Sequence, residues 1–95
     1  MFYERRLRSL AAIVSEASSM DADAGIRVSG SYGGRKCYAF VTRFGPRYTL
    51  MIYERKSGKL EGLGRNLASE DIEGLPGLRA WLKKVATGRF EAFAY

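Results

Sequence analysis

The 95-residue chain has one cysteine, Cys37, no histidine, no glutamine and one asparagine, Asn66. A lone cysteine excludes an internal disulfide, and without histidine the usual zinc and haem ligand sets are missing, so no metal and no cofactor is expected. The scarcity of heat-labile amides, with arginine in excess of lysine, points to a thermophilic source. No apolar run approaches the ~20 residues that a membrane span needs. The opening MFYERRLR lacks the apolar stretch of a signal peptide, so the expectation is a cytoplasmic protein with no membrane partner. Negative charge is also scarce: 10 acids stand against 16 Lys plus Arg, a formal net charge of +6 and a pI near 9.8. That surplus favours polyanions, although many small domains are basic for solubility alone.

What is present suits a single domain spanning residues 1–95, a size at which folding hides roughly 60–65% of the unfolded chain's surface. Tyr3, Leu7, Leu10, Val14 and Ala17 follow helical spacing and predict a long first helix that ends before DADAG at residues 21–25. Arg5, Arg6 and Arg8 would then sit in its first turns, where the dipole prefers acids and Glu4 is the one acid. Three turn signals, Gly33-Gly34, Gly45-Pro46 and Ser57-Gly58, divide the middle into strands near 26–32, 35–44, 47–55 and 59–65, the last weakened by Gly62 and Gly64. Ser69 can cap a short turn through Ile72, and Glu70, Asp71 and Glu73 read as an acidic helix start. Pro76 suits the first turn of a closing helix with Leu78, Leu82 and Val85 on its apolar side, Trp81 beside them and Gly88 as its stop. The tail RFEAFAY fits either a fifth strand or an apolar arm, and its Phe90, Phe93 and Tyr95 suit equally a place in the core, a cap on an aromatic platform or a contact with a neighbouring molecule. The expected fold class is α+β: an N-terminal helix, a four-stranded antiparallel β-meander and a C-terminal helix.

A two-residue loop at Gly33-Gly34, and a second loop of either two or four residues, fix the strand register and with it the two faces of the sheet. Tyr32 should face Arg35, Val28 Ala39, Ile26 Val41, Val41 Leu50 and Ala39 Ile52, which gathers Ile26, Val28, Cys37, Ala39, Val41, Leu50 and Ile52 on the side toward the helices. The opposite side collects Arg27, Ser29, Ser31, Lys36, Tyr38, Phe40, Thr42, Thr49, Met51 and Tyr53, with Arg47 and Arg55 at the ends of the third strand. Within it, KCYAFVTR at 36–43 agrees with an RNA-recognition strand at Lys36, Tyr38, Ala39, Phe40 and Val41, and departs from it at Cys37 and Arg43. The element order contradicts that fold, so the family is set aside. Three uses of the face compete. It can be a platform on which rings stack unpaired bases while cations hold phosphates, a homodimer interface, or a core covered by a helix. The covered core ranks last because Arg27 and Lys36 would need buried partners.

Other motifs carry less. GSYGGRK, residues 30–36, lacks the spacing of a P-loop and is better explained as a hairpin turn. RFGPRY, residues 43–48, pairs two arginines around a turn where a phosphate could dock, and ERKSGK, residues 54–59, reads as a solvated basic loop. No nucleophile has a plausible base, and Cys37 reads as a packing residue, so no catalysis is expected.

In element order, basic and aromatic character and thermophilic composition, residues 1 to about 88 resemble the ThermoDBP-related proteins, small archaeal single-stranded DNA-binding proteins. The resemblance is one of layout, without a short shared signature, and it implies sequence-tolerant binding in an aromatic-lined cleft, by a dimer in some arrangements. The residues and the resemblance together lead to a protein that binds single-stranded nucleic acid, DNA before RNA, without catalysis. Tyr38, Phe40 and Tyr53 would stack bases beside Met51, and Arg27, Lys36, Arg47 and Arg55 would hold phosphates. The alternative is a homodimeric interaction module whose aromatic sheet face is the subunit interface.

Overall fold

The structure, a computed structural model, describes residues 4–56, 62–86 and 88–95. In chain order the elements are β1 (Arg5–Leu7), α1 (Leu10–Ser19), β2 (Gly25–Tyr32), β3 (Arg35–Phe44), β4 (Arg47–Lys56), β5 (Gly62–Glu73), α2 (Gly74–Val85) and β6 (Glu91–Ala94). The strands form one antiparallel sheet in the order β1-β6-β2-β3-β4-β5.

Turn chemistry builds the centre of this sheet. Gly33 and Gly34 both take positive φ, 59° and 80°, as the tightest hairpin loop demands, and they set Tyr32 opposite Arg35. The register then runs as the turns predict, with Val28 on Ala39, Ile26 on Val41, Val41 on Leu50 and Ala39 on Ile52. All seven apolar side chains that alternation assigned to the inner face are fully buried. Leu78, Leu82 and Val85 of α2 and Ile13 and Ala17 of α1 complete that core. The buried Tyr48 ties α1 to the sheet by donating its hydroxyl to the Ala17 carbonyl at 2.8 Å. At Gly30 the end of α2 comes so close that a Cβ would lie 2.0 Å from the Val85 carbonyl oxygen. Both helices lie on this face, and no described element covers the other.

The ends of the chain differ from the sequence expectation. Tyr3 lies outside the described residues, and Leu7 belongs to a strand: Arg5, Arg6 and Leu7 pair with Ala94, Phe93 and Ala92. Ser9 starts the helix instead, accepting a 3.0 Å hydrogen bond from the Ala12 N–H. Leu7 is buried as an inward-facing strand residue, which imitates one more turn of the helical pattern. Arg5, Arg6 and Arg8 therefore precede α1 rather than opposing its dipole.

The fourth strand of the meander is also longer and later than expected. The Ser57-Gly58 turn and residues 59–61 lie outside the described residues, and β5 continues to Glu73. Ser69 is thus a strand residue opposite Met51, and Glu70, Asp71 and Glu73 face Leu50, Thr49 and Arg47 instead of opening a helix. Long-range pairing with β4 overrides the local helix-start signal. Gly74, at φ 74°, makes the break as the first residue of α2, which has no acid in its first turn. The tail RFEAFAY supplies β6, which enters the sheet between β1 and β2. The count is six strands rather than four, within the expected α+β class.

Candidate nucleic-acid interface

On the open face, cross-strand pairing lines up one row across all six strands: Arg6, Phe93, Arg27, Phe40, Met51 and Ser69, each directly opposite the next. A second row runs Glu91, Ser29, Tyr38, Tyr53 and Asn66. Because β2 presents small serines between larger side chains on β6 and β3, the surface sinks along it into an open groove of about 880 Å³. Six cations line the groove, Arg6, Arg8, Arg27, Lys36, Arg55 and Arg89, against one carboxylate, Glu91. Tyr38, Phe90 and Phe93 supply its aromatic walls and Ser29 and Ser31 its hydroxyls.

The rings beside the groove pack on one another. The Tyr38 and Phe40 centroids are 6.4 Å apart, and Phe40 meets Tyr53 edge-on at 6.1 Å. Two of the cations lie over rings: Arg55 stands 5.4 Å from the centre of Tyr38 and Arg27 5.3 Å from that of Phe93. Arg27 is also paired with Glu4 at 3.2 Å, and its buried Nε finds no hydrogen-bond partner among the described residues.

Protein-family models, curated proteins and solved structures give no match to this chain.

Of the residues singled out from sequence, Arg27, Lys36, Tyr38 and Arg55 line the groove, and Phe40, Met51 and Tyr53 form a half-buried patch beside it. Arg47 stands apart at the other end of β4, where it pairs with Glu73 at 2.7 Å. In RFGPRY the other arginine is structural: Arg43 donates to the carbonyls of Gly45 at 2.9 Å and Ser18 at 3.0 Å, tying the β3–β4 turn to the end of α1. GSYGGRK is the hairpin turn expected, with Arg35 held by Glu54 at 2.9 Å and Lys36 left in the groove. Residues 57–59 of ERKSGK lie outside the described residues.

The site expected from sequence omits the half of the groove contributed by the chain ends, Arg6, Arg8, Arg89, Phe90 and Phe93, because the tail aromatics fit a core position as well as the platform and the first arginines fit a solvated helix start. The signal available was the alternation in EAFA, whose two alanines both turn inward and are buried, while Phe93 faces out. The far side of the face mixes both signs, with Arg47 paired to Glu73. Asp71, which accepts from the Thr49 hydroxyl at 3.4 Å, and Glu73 both lie on β5. Cys37 takes no part in the groove: it is fully buried on the helix side, and burial pushes its thiol pKa up against a smaller downward effect of a backbone hydrogen bond from Gly30.

Proposed function

We propose that this protein binds single-stranded nucleic acid on the open face of its sheet, without catalysis, holding phosphates in the basic groove and bases against its planar side chains. The observation that supports this most is the groove itself, where six cations interleave with aromatic rings around a single carboxylate. Charge alone suits any polyanion, and rings alone suit any apolar partner, but the combination suits a chain of alternating phosphates and exposed bases. A kinship with the ThermoDBP-related proteins belongs to this proposal; the helix, antiparallel meander and helix that lie between β1 and β6, with the basic and aromatic character of the chain, support it.

The competing use of the face, as a homodimer interface, is disfavoured by its charge. Two copies packed groove to groove would bring their cations together, with Glu91 the one carboxylate in each lining. Fluorescence anisotropy with a labelled single strand of mixed sequence and its duplex tests the proposal, with solution mass measured in parallel. Tighter binding of the single strand is expected, because a duplex hides its base faces. Equal affinity for the two would leave only generic electrostatics, and a dimer that dissociates on Phe40→Ala would establish the interface instead.

A further inference from the structure

We infer that the stacking surfaces this groove offers to bases are the guanidinium planes of Arg55 and Arg27, each set over an aromatic ring, rather than the rings themselves. The inference rests on the nucleic-acid reading above and specifies the ligand: a planar nucleobase with its phosphate, not a bare polyanion.

A ring can stack a base only on a face that nothing else occupies. Tyr38 leans on Phe40 at an interplanar angle of 42° and has Arg55 over it, with Cζ 5.4 Å from the ring centre. Phe93 has Arg27 over it at 5.3 Å. Phe40, half-buried, is wedged between Tyr38 and the edge of Tyr53 at an interplanar angle of 69°. Of the three rings lining the groove, Tyr38 and Phe93 thus each carry a guanidinium, and Phe90 packs against the core.

A guanidinium is suited to that position. It is planar, permanently charged and weakly hydrated, so one face can rest on a ring while the other accepts a base, and its N–H edge still reaches a phosphate. The ring contributes orientation by restricting a long side chain that would otherwise sample many rotamers. Arg55 is exposed and has no carboxylate partner among the described residues, so it is the more available plane. Arg27 is more constrained: its side chain is 32% exposed, its Nε is buried and Glu4 holds its Nη atoms. Lysine at either position would keep the charge and lose the plane.

The test compares a labelled oligothymidylate with an abasic strand of the same length and phosphate number, for the wild type, Arg55→Lys, Tyr38→Leu and the double variant. In the wild type the thymidylate should bind about tenfold more tightly than the abasic strand, a ratio that reports base contacts alone. Arg55→Lys should lower that ratio to about threefold or less while leaving abasic affinity within about twofold. Tyr38→Leu should lower it equally, and the double variant no further, because ring and guanidinium act as one unit. An unchanged ratio in Arg55→Lys overturns the inference, as does a larger loss in Tyr38→Leu than in Arg55→Lys, which would mean that the base stacks on the ring. Should Tyr38→Leu fail to fold, Arg55→Lys decides alone, since its side chain is exposed and its melting temperature should not move. Failure of the nucleic-acid reading looks different: a wild type that binds neither strand, or both equally.

Discussion

Arg27 of β2 and Phe93 of β6 face each other directly across their ladder, with the guanidinium carbon 5.3 Å from the ring centre. Sixty-six positions apart in the chain by the difference of their numbers, 93 − 27, they meet because the last strand enters the sheet between β1 and β2. The contact makes the terminal strand part of the groove wall, and Glu4, just ahead of β1, clamps the same arginine from the side.

Glu4 competes with phosphate for Arg27. Glu4→Gln removes that competitor at a partly exposed pair, so single-strand affinity should rise by about 1.5- to fivefold while stability changes by less than about 0.5 kcal/mol. Anisotropy titration and a thermal melt measure the two quantities, and a fall in affinity would show that Glu4 orients Arg27 for binding instead.

The two sheet faces should respond differently to truncation. Leu50→Ala, in the fully buried inner layer, should cost about 2–5 kcal/mol, whereas Phe40→Ala, on the half-buried outer patch, should cost about 1–2 kcal/mol and also weaken single-strand binding by loosening Tyr38, which packs on it. Urea denaturation of both variants checks the order. A larger loss at Phe40 would place a covering element over the open face.

Gly30 and Gly34 are required for different reasons. Gly30→Ala forces a methyl group to within 2.0 Å of the Val85 carbonyl oxygen, so α2 must lift from the sheet and the loss should be about 2 kcal/mol or more. Gly34→Ala meets no atom within 4 Å but must hold φ at 80°, which should cost about 1 kcal/mol. Thermal melts separate the two, and equal losses would refute the close approach at Gly30.

Salt should distinguish groove arginines from structural ones. The log–log slope of affinity against salt should fall by about 0.7 for Arg6→Ala or Arg89→Ala, each of which removes one phosphate contact. Arg43→Ala should leave the slope alone and lower the melting temperature, because that guanidinium is engaged with the Ser18 and Gly45 carbonyls. A slope change for Arg43→Ala would extend the binding face to the β3–β4 turn.

Cys37 should respond to pH through stability. Its thiol is held above the usual 9.0 by burial, so the unfolded chain gives up that proton first and folding weakens as pH rises through and beyond that value. Below it the contribution is fully present. The pH slope of stability above about 9 should be less steep in Cys37→Ala than in the wild type. Equal slopes would mean that Cys37 does not titrate differently in the two states.

Local chemistry in the sequence determined the central meander and its two faces. Gly33-Gly34 and Gly45-Pro46 fix two hairpins, each hairpin fixes a register, and alternation then sorts Val41 and Leu50 inward and Tyr38 and Phe40 outward without any long-range information. Helix α2 was legible in the same way, because Leu78, Leu82 and Val85 share one face of a single helix. Only the tertiary structure decided the edges of the sheet. Leu7, Phe93 and Glu70 carry signals that are ambiguous over a few residues: Leu7 extends a helical pattern, EAFA is short, and Glu70 with its acidic neighbours imitates a helix start. Each was resolved by a partner far away in sequence, Leu7 by Ala92, Phe93 by Arg27 and Glu70 by Leu50. Strand pairing is non-local, so a short edge strand gains its stability from the ladder it joins rather than from its own sequence, and the half of the groove that those edges carry exists only once the sheet has closed around them.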